Sequence, residues 1–355
     1  MTDQNELGGR IARLIAAQGP ISLAQFMTIA LHDPKGGYYA TRDPLGQDFI
    51  TAPEISQAFG ELIGLWCAKV WHDQGKPGGA RLVELGPGRG TLMADALRAA
   101  RLMPEFLASL DIVLVESSPV LAEAQKKALH DCKLPLRWVQ SIAEIAHDRP
   151  HFTIANEFLD ALPIEQFVMT EKGWCERMVG LDANGALTLA LAPAAWTLAV
   201  PPERGDAAIG AVYEVSTAAR AIVEDIARGI GRSGGAALFI DYGYAGNGFG
   251  ETLQAVGKNR FQDVLTAPGN VDISAHVDFG AMARSAQAGG AKAYGPVGQG
   301  EFLDALGIRE REKRLAVKTG MPFALDRLTR TEEMGTLFKA LAILPKSAPT
   351  PPGFE

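Results

Sequence analysis

Amphipathic stretches at helical spacing fill the start of the chain, whereas short apolar runs that do not alternate with polar residues fill its middle. Ile11, Leu14 and Ile15, then Leu23, Phe26, Met27 and Ala30, recur at the interval of a helix, with Gly19-Pro20 as the break between them. Residues 33–53 are rich in Gly, Pro, Asp and Tyr and read as an ordered loop. Thr51-Ala52-Pro53-Glu54 has the form of a capping box, Thr with Glu three residues on and Pro in the first turn. The helix it opens would carry Ile55, Phe59, Leu62, Ile63, Trp66 and Val70 on one face.

From Arg81 the pattern changes. Strands are expected over Leu82–Leu85, Ile112–Glu116 and Phe152–Asn156, with helices over Thr91–Ala100 and Pro119–Leu129 between them. Such unbroken apolar runs suit strands covered on both faces, as in a parallel sheet flanked by helices. Between about 165 and 215 the runs Gln166–Thr170, Cys175–Leu181 and Leu187–Leu191 carry polar interruptions and predict an antiparallel insertion. A helix over Thr217–Arg228 and the apolar strand Ala236–Asp241 resume the alternation. A helix around Val277–Ala288 and a strand over Leu337–Leu344 complete a doubly wound α/β sheet, and the proline-rich end Ser347–Glu355 is expected to fray.

Composition narrows the partners. The 355 residues are 47% hydrophobic and 21% charged, enough apolar material for a core without staples. A net charge of −7 is the reverse of a phosphate-neutralising surface, so no nucleic acid is expected. Cys67, Cys132 and Cys175 are scattered and lack zinc spacing, which predicts neither disulfides nor a metal and suits a reducing compartment. The acidic start Met1–Glu6 resembles neither a secretory signal nor a transit peptide, and no apolar run approaches the roughly 20 residues that span a bilayer. The expectation is a cytoplasmic chain without membrane insertion, its oligomeric state open.

Chemistry concentrates at Glu84-Leu85-Gly86-Pro87-Gly88-Arg89-Gly90. A Gly-x-Gly-x-Gly turn between a buried strand and a helix lets the backbone approach a bulky ligand and offers N–H groups at a helix N-terminus. Dinucleotide sites share this device, but with the spacing Gly-x-Gly-x-x-Gly. Here the third Gly comes one residue early and Thr91 takes the sixth position. Glu84 sits inside an otherwise apolar strand, where an unsatisfied carboxylate costs several kcal/mol. In doubly wound methyltransferases an acid at this place serves the methionine amino group of S-adenosylmethionine; the competing reading is a buried acid capped by nearby N–H groups. Glu116, at the end of the next strand, is placed to accept both hydroxyls of a ribose, or else to cap the helix that follows.

Six words in order carry a family resemblance: His32–Tyr39, Phe49–Gln57 with Phe59-Gly60-Glu61, Glu84–Thr91, Asn156–Pro163, Ile240–Gly243 and Ala275–Phe279. From about residue 7 to 344 the chain resembles the MidA family of class I methyltransferases, whose mitochondrial members are complex I assembly factors. The resemblance implies a seven-stranded Rossmann-like sheet with an N-terminal helical extension and an inserted substrate-facing region. The division it implies is a helical cap with a cofactor-covering loop (1–78), a methyltransferase domain with its insertion at about 165–215 (79–345), and a disordered tail (346–355). It further implies S-adenosylmethionine as cofactor and symmetric dimethylation of arginine on a quinone-side complex I subunit. The chain departs from the family in a shorter segment between Pro44-Leu45-Gly46 and Asp48-Phe49, where only Gln47 intervenes.

Methyl transfer from a sulfonium demands alignment more than acid–base power. An arginine acceptor needs carboxylates to hold its guanidinium, and Glu157 and Asp160 follow a strand on the ligand-binding side of such a sheet. Either could instead be an ion-pair partner or a turn cap. Asp241 ends a later strand in an equivalent place, and His276 is a base candidate or a helix cap. Tyr38, Tyr39 and Phe49 could wall the sulfonium by cation–π contact or pack their own loop. The expected cofactor set is therefore Glu84, Gly86, Gly88, Gly90, Thr91, Glu116, Asn156, Tyr39 and Thr51; the catalytic set is Glu157, Asp160, Asp241 and His276. A methyltransferase for another acceptor, and a cofactor-binding assembly chaperone, share these motifs; a NAD-dependent oxidoreductase does not fit the spacing.

Overall fold

Each unbroken apolar run becomes a strand buried along its length. The computed structural model describes residues 6–43, 50–195, 207–246, 248–258, 260–319 and 325–355. The shortened segment at 44–49, with Phe49, lies outside the described residues. The chain forms two units, one of Met1–Phe49, Asp160–Ala219 and Gly246–His276, the other of Ile50–Leu159, Arg220–Ala245 and Val277–Glu355. A boundary at residue 78 does not coincide with either: residues 50–78 belong with the sheet, and residues before them with the insertion.

The second unit is built on strands β1 (Ala80–Leu85), β2 (Leu110–Val115), β3 (Leu136–Val139), β4 (His151–Asn156), β5 (Gly235–Tyr244), β6 (Lys292–Gly298) and β7 (Phe338–Leu344). Their order is β3-β2-β1-β4-β5-β7-β6. Strands β1 to β5 are parallel, and β7 runs antiparallel to both β5 and β6. The path therefore turns from one side to the other between β1 and β4, the switch point where open α/β sheets bind ligands outside the strand C-termini. Strands β3 and β6 escape the apolar pattern for local reasons. Only Val139 of β3 is buried, and β6 shifts register between Tyr294 and Val297.

Three expected boundaries move. Thr51 makes no side-chain cap, and the single turn Ala52–Ile55 ends at Ser56. The Ser56 hydroxyl accepts from Ala58 N–H and caps the long helix Gln57–Asp73. Val277 and Asp278 do not begin a helix but pair in parallel with Gly243 and Tyr244, so the helix Phe279–Ala288 starts later, capped by Asp278. Nor does the C-terminus fray. The Trp66 indole donates to Pro352 O at 3.1 Å, and the Phe354 ring lies 5.3 Å from that of Phe302. Prolines here do not signal disorder, because aromatic contacts hold the segment against the core.

In the first unit, helices Glu6–Gln18 and Leu23–His32 bury Leu7, Ile11, Ile15, Phe26 and Met27. The expected antiparallel insertion is present: Glu165–Thr170, Gly173–Leu181 and Leu187–Ala195 join Ile21–Ser22 and Val212–Val215 in a five-stranded sheet. Strands Gln254–Gly257, Arg260–Gln262 and Asp272–Ser274 form a small separate sheet. No described helix is long and apolar enough to cross a membrane, and among the described residues no group of three or more His, Cys, Asp or Glu is arranged to hold a metal ion. All three cysteines are free.

Helix Gln57–Asp73 packs backbone to backbone on Thr91–Ala100, the helix that leaves the glycine turn. A Cβ added at Gly64 would lie 2.5 Å from the Cα of Ala96. Gly64→Ala should therefore lower the unfolding free energy by about 1–3 kcal/mol through overpacking, measured by urea denaturation. Unchanged stability would show that the two helices can separate without cost.

Candidate cofactor and active site

The turn after β1 folds as its glycines allow. Gly86, Gly88 and Gly90 have φ of +60°, +54° and +84°, and Gly90 N–H donates to Pro87 O at 2.8 Å. A Cβ at Gly86 would meet the Phe158 ring at 2.9 Å, so another residue there would displace the neighbouring loop. The helix Thr91–Ala100 then starts from Gly90 with no side-chain cap hydrogen bond.

Glu84 on β1 is almost wholly buried, and its Oε2 has no hydrogen-bond partner among the described residues. Burial, with the nearby charge of Glu116, raises its pKa well above the ordinary carboxylate range, and a hydrogen bond from the Met93 N–H offsets this in part. On the adjacent strand β4, Asn156 donates to Glu157 Oε1 at 3.0 Å, while its own Oδ1 is buried without a donor among the described residues. Two unsatisfied acceptors thus stand at the C-terminal ends of neighbouring strands, at the switch point. An ammonium group with three N–H donors matches that deficit.

Glu116 follows β2 and is not the cap of the next helix. That cap is Ser118, whose hydroxyl accepts from Leu121 N–H. One Glu116 oxygen accepts from Ser118 N–H at 2.7 Å, the other from Gln125 Nε2 at 2.9 Å. Burial raises its pKa. Gln125 was not in the expected set. It shares the buried face of its helix with Leu121 four residues earlier, a polar residue in an apolar position, and that was the signal available.

The loop after β4 is strained and tightly held. Glu157 has φ of +51°, a left-handed conformation rare outside glycine. Its Oε1 accepts from the Ala52 and Asn156 N–H groups, each at 3.0 Å, and its own N–H donates to Ile240 O. Asp241, 1% exposed, turns one oxygen to the N–H groups of Phe158 and Leu159 and the other to that of Tyr242. Its carboxylate shapes the loop. Thr51 stands just before the Ala52 turn, and the Thr91 hydroxyl donates to Glu54 at 2.6 Å, a bond to the side chain and not a capping box.

These residues belong to the second unit; Tyr39, Asp160 and His276 belong to the first. There the Tyr39 hydroxyl donates to Asp272 at 2.7 Å, and burial with the Asp272 and Asp160 charges raises its pKa well above the phenol range. Tyr38 is a core residue with the Arg42 guanidinium 5.1 Å from its ring centroid, so its face already has a cation. Asp160 is buried and its carbonyl accepts from Ala275 N–H. His276 opens no helix; its N–H donates to Thr252 Oγ1, and burial lowers its pKa.

A model of the S-adenosyl-L-methionine-dependent methyltransferase family matches residues 62–297. The chain is 38% identical over 363 residues to human protein arginine methyltransferase NDUFAF7, mitochondrial, covering 93% of this chain and 81% of that one. The mouse protein of the same name is 37% identical, covering 93% and 82%. A crystal structure from Burkholderia thailandensis, solved with S-adenosyl-homocysteine bound, has a TM-score of 0.83 at 28% identity, covering 99% of this chain and 93% of that one.

Three backbone N–H groups converge on Asp241, so Asp241→Ala should lower unfolding free energy by about 2–4 kcal/mol by leaving them unpaired. Chemical denaturation reads this directly. A loss below about 0.5 kcal/mol would mean the loop finds other acceptors.

Proposed function

The chain belongs to the S-adenosyl-L-methionine-dependent methyltransferase family, and from that premise we propose that it methylates arginine in a protein. The observation that carries the acceptor is its extended identity with enzymes named protein arginine methyltransferases. The reading extends to symmetric dimethylation of a quinone-side complex I subunit in the cytoplasmic compartment, in keeping with the three free cysteines.

The residues of the second unit fit the cofactor. Glu84 Oε2 and Asn156 Oδ1 would hold the methionine ammonium, and Glu116 the ribose hydroxyls, beside the turn Gly86, Gly88 and Gly90. Thr51 and Thr91 flank this region. When bound, the cofactor supplies an electrophilic methyl group on a sulfonium. Glu157, fixed by Ala52 and Asn156, is the proposed carboxylate for the guanidinium, orienting one nitrogen for in-line attack in which the N–C bond would form as the sulfonium S–C bond breaks, with one N–H proton released to solvent. Asp241 sets the backbone of that loop. The reading rests on this unit alone and does not require Tyr39, Asp160 or His276.

Two measurements test it. In the ligand-free protein burial, with the Glu116 charge, raises the Glu84 pKa well above the ordinary carboxylate range. A bound ammonium favours the ionised form, hence the complex has the lower pKa. Affinity for S-adenosylhomocysteine should therefore fall as pH drops through the raised free-protein pKa, with proton release on binding at pH values between the pKa of the complex and that of the free protein. Calorimetry in buffers of different ionisation enthalpy reads the release; proton uptake, or no exchange throughout, would remove Glu84 from the ammonium. For the acceptor, mass spectrometry of complex I from a strain lacking this gene should show the quinone-side subunit without its dimethylarginine. A subunit still fully dimethylated would overturn the assignment.

A further inference from the structure

Gln125 is wholly buried at the middle of the helix Pro119–Ala128. A carboxamide there is costly unless its donors and acceptor are all used. They are. Its Nε2 donates to Gly88 O at 2.8 Å and to Glu116 Oε2 at 2.9 Å, and its Oε1 accepts from the Trp138 indole at 2.9 Å. An indole nitrogen can only donate, and the other two neighbours can only accept. The amide therefore has one satisfactory orientation, with nitrogen towards the turn and Glu116. Gly90 makes room for it, since a Cβ there would lie 3.3 Å from the Gln125 Cα.

We propose that Gln125 is a positioning residue for the cofactor, locking the Glu116 carboxylate and the Gly88 carbonyl into one arrangement from its anchor on Trp138. The proposal rests on the assignment of Glu116 and the glycine turn to the cofactor. With one Glu116 oxygen taken by Ser118 and the other by Gln125, the carboxylate keeps a single rotamer and presents its remaining lone pairs in a fixed direction. The same amide nitrogen fixes the peptide that follows Gly88, so the ribose acid and the glycine turn are set by one group. An apolar side chain would fill the space equally well and hold neither.

A double-mutant cycle separates positioning from packing. Gln125→Met keeps the length and removes both donors; Glu116→Ala removes the group it orients. Calorimetric titration of each full-length variant with S-adenosylhomocysteine, alongside urea denaturation, gives four affinities. Gln125→Met should weaken binding about tenfold or more in the parent protein, and less than about threefold in the Glu116→Ala background. Trp138→Phe, which removes only the anchoring N–H, should weaken binding by a smaller factor and guards against a Gln125 variant that fails to fold. Equal losses in both backgrounds would make Gln125 a packing residue and overturn the proposal. An unchanged affinity in Gln125→Met or, should that variant not fold, in Trp138→Phe would do the same while leaving the ribose assignment intact. If Glu116→Ala itself binds like the parent, the ribose assignment and the proposal fall together.

Discussion

A carboxylate near the C-terminal end of a buried strand is the constraint around which the second unit is arranged. Glu84 lies between apolar neighbours on β1, flanked in register by β2 and β4, and gains one backbone N–H while one of its oxygens has no donor among the described residues. Burial raises its pKa, and Glu116 on the neighbouring strand's end pushes the same way. Such a group is tolerated where a ligand completes it. The turn of positive-φ glycines, the bare start of the helix Thr91–Ala100 and the unsatisfied Asn156 oxygen all stand next to that deficit. Each makes sense as part of an enclosure for a cation carried on a nucleoside.

The same economy of hydrogen bonds governs the loop from Asn156 to Leu159. A left-handed glutamate costs on the order of 1–3 kcal/mol and persists only when its surroundings over-determine it. Here two donors hold its carboxylate, Ile240 takes its N–H, and Asp241 secures the two peptides that follow. The strain keeps the Glu157 carboxylate close to the end of β4, on the strand that also bears Asn156. A reaction that depends on alignment gains more from such rigidity than from a mobile acid.

The local order of strand, turn and helix was legible in the sequence. The glycine turn, Glu84 and Glu116 could be placed because strand, turn and helix follow one another, and the buried runs of β1, β2, β4 and β5 declared the sheet. What escaped was set by distant contacts. Thr51-Ala52-Pro53-Glu54 reads as a cap, yet the hydroxyl of Thr91 takes the glutamate and Ser56 does the capping. Asp241 reads as a site acid, yet its oxygens answer backbone N–H groups eighty or so residues earlier as well as its own neighbour. The tail reads as frayed because proline content says nothing of Trp66 or Phe302. Strand β3 hides because an edge strand with one buried position carries almost no apolar signal.

Gln125 illustrates why a polar residue in an apolar stripe is informative only once its partners are known. From sequence it is a helix residue of good propensity. In three dimensions it joins a carbonyl of the turn, a carboxylate at the end of β2 and an indole on β3, elements brought together only by the parallel pairing of β1, β2 and β3. Parallel pairing aligns the C-terminal ends of the strands, and so brings to one edge acids and turns far apart in the chain. A side chain on the covering helix can then address several of them at once. The arrangement at these strand ends thus follows from sheet topology first and from the chemistry of individual residues second.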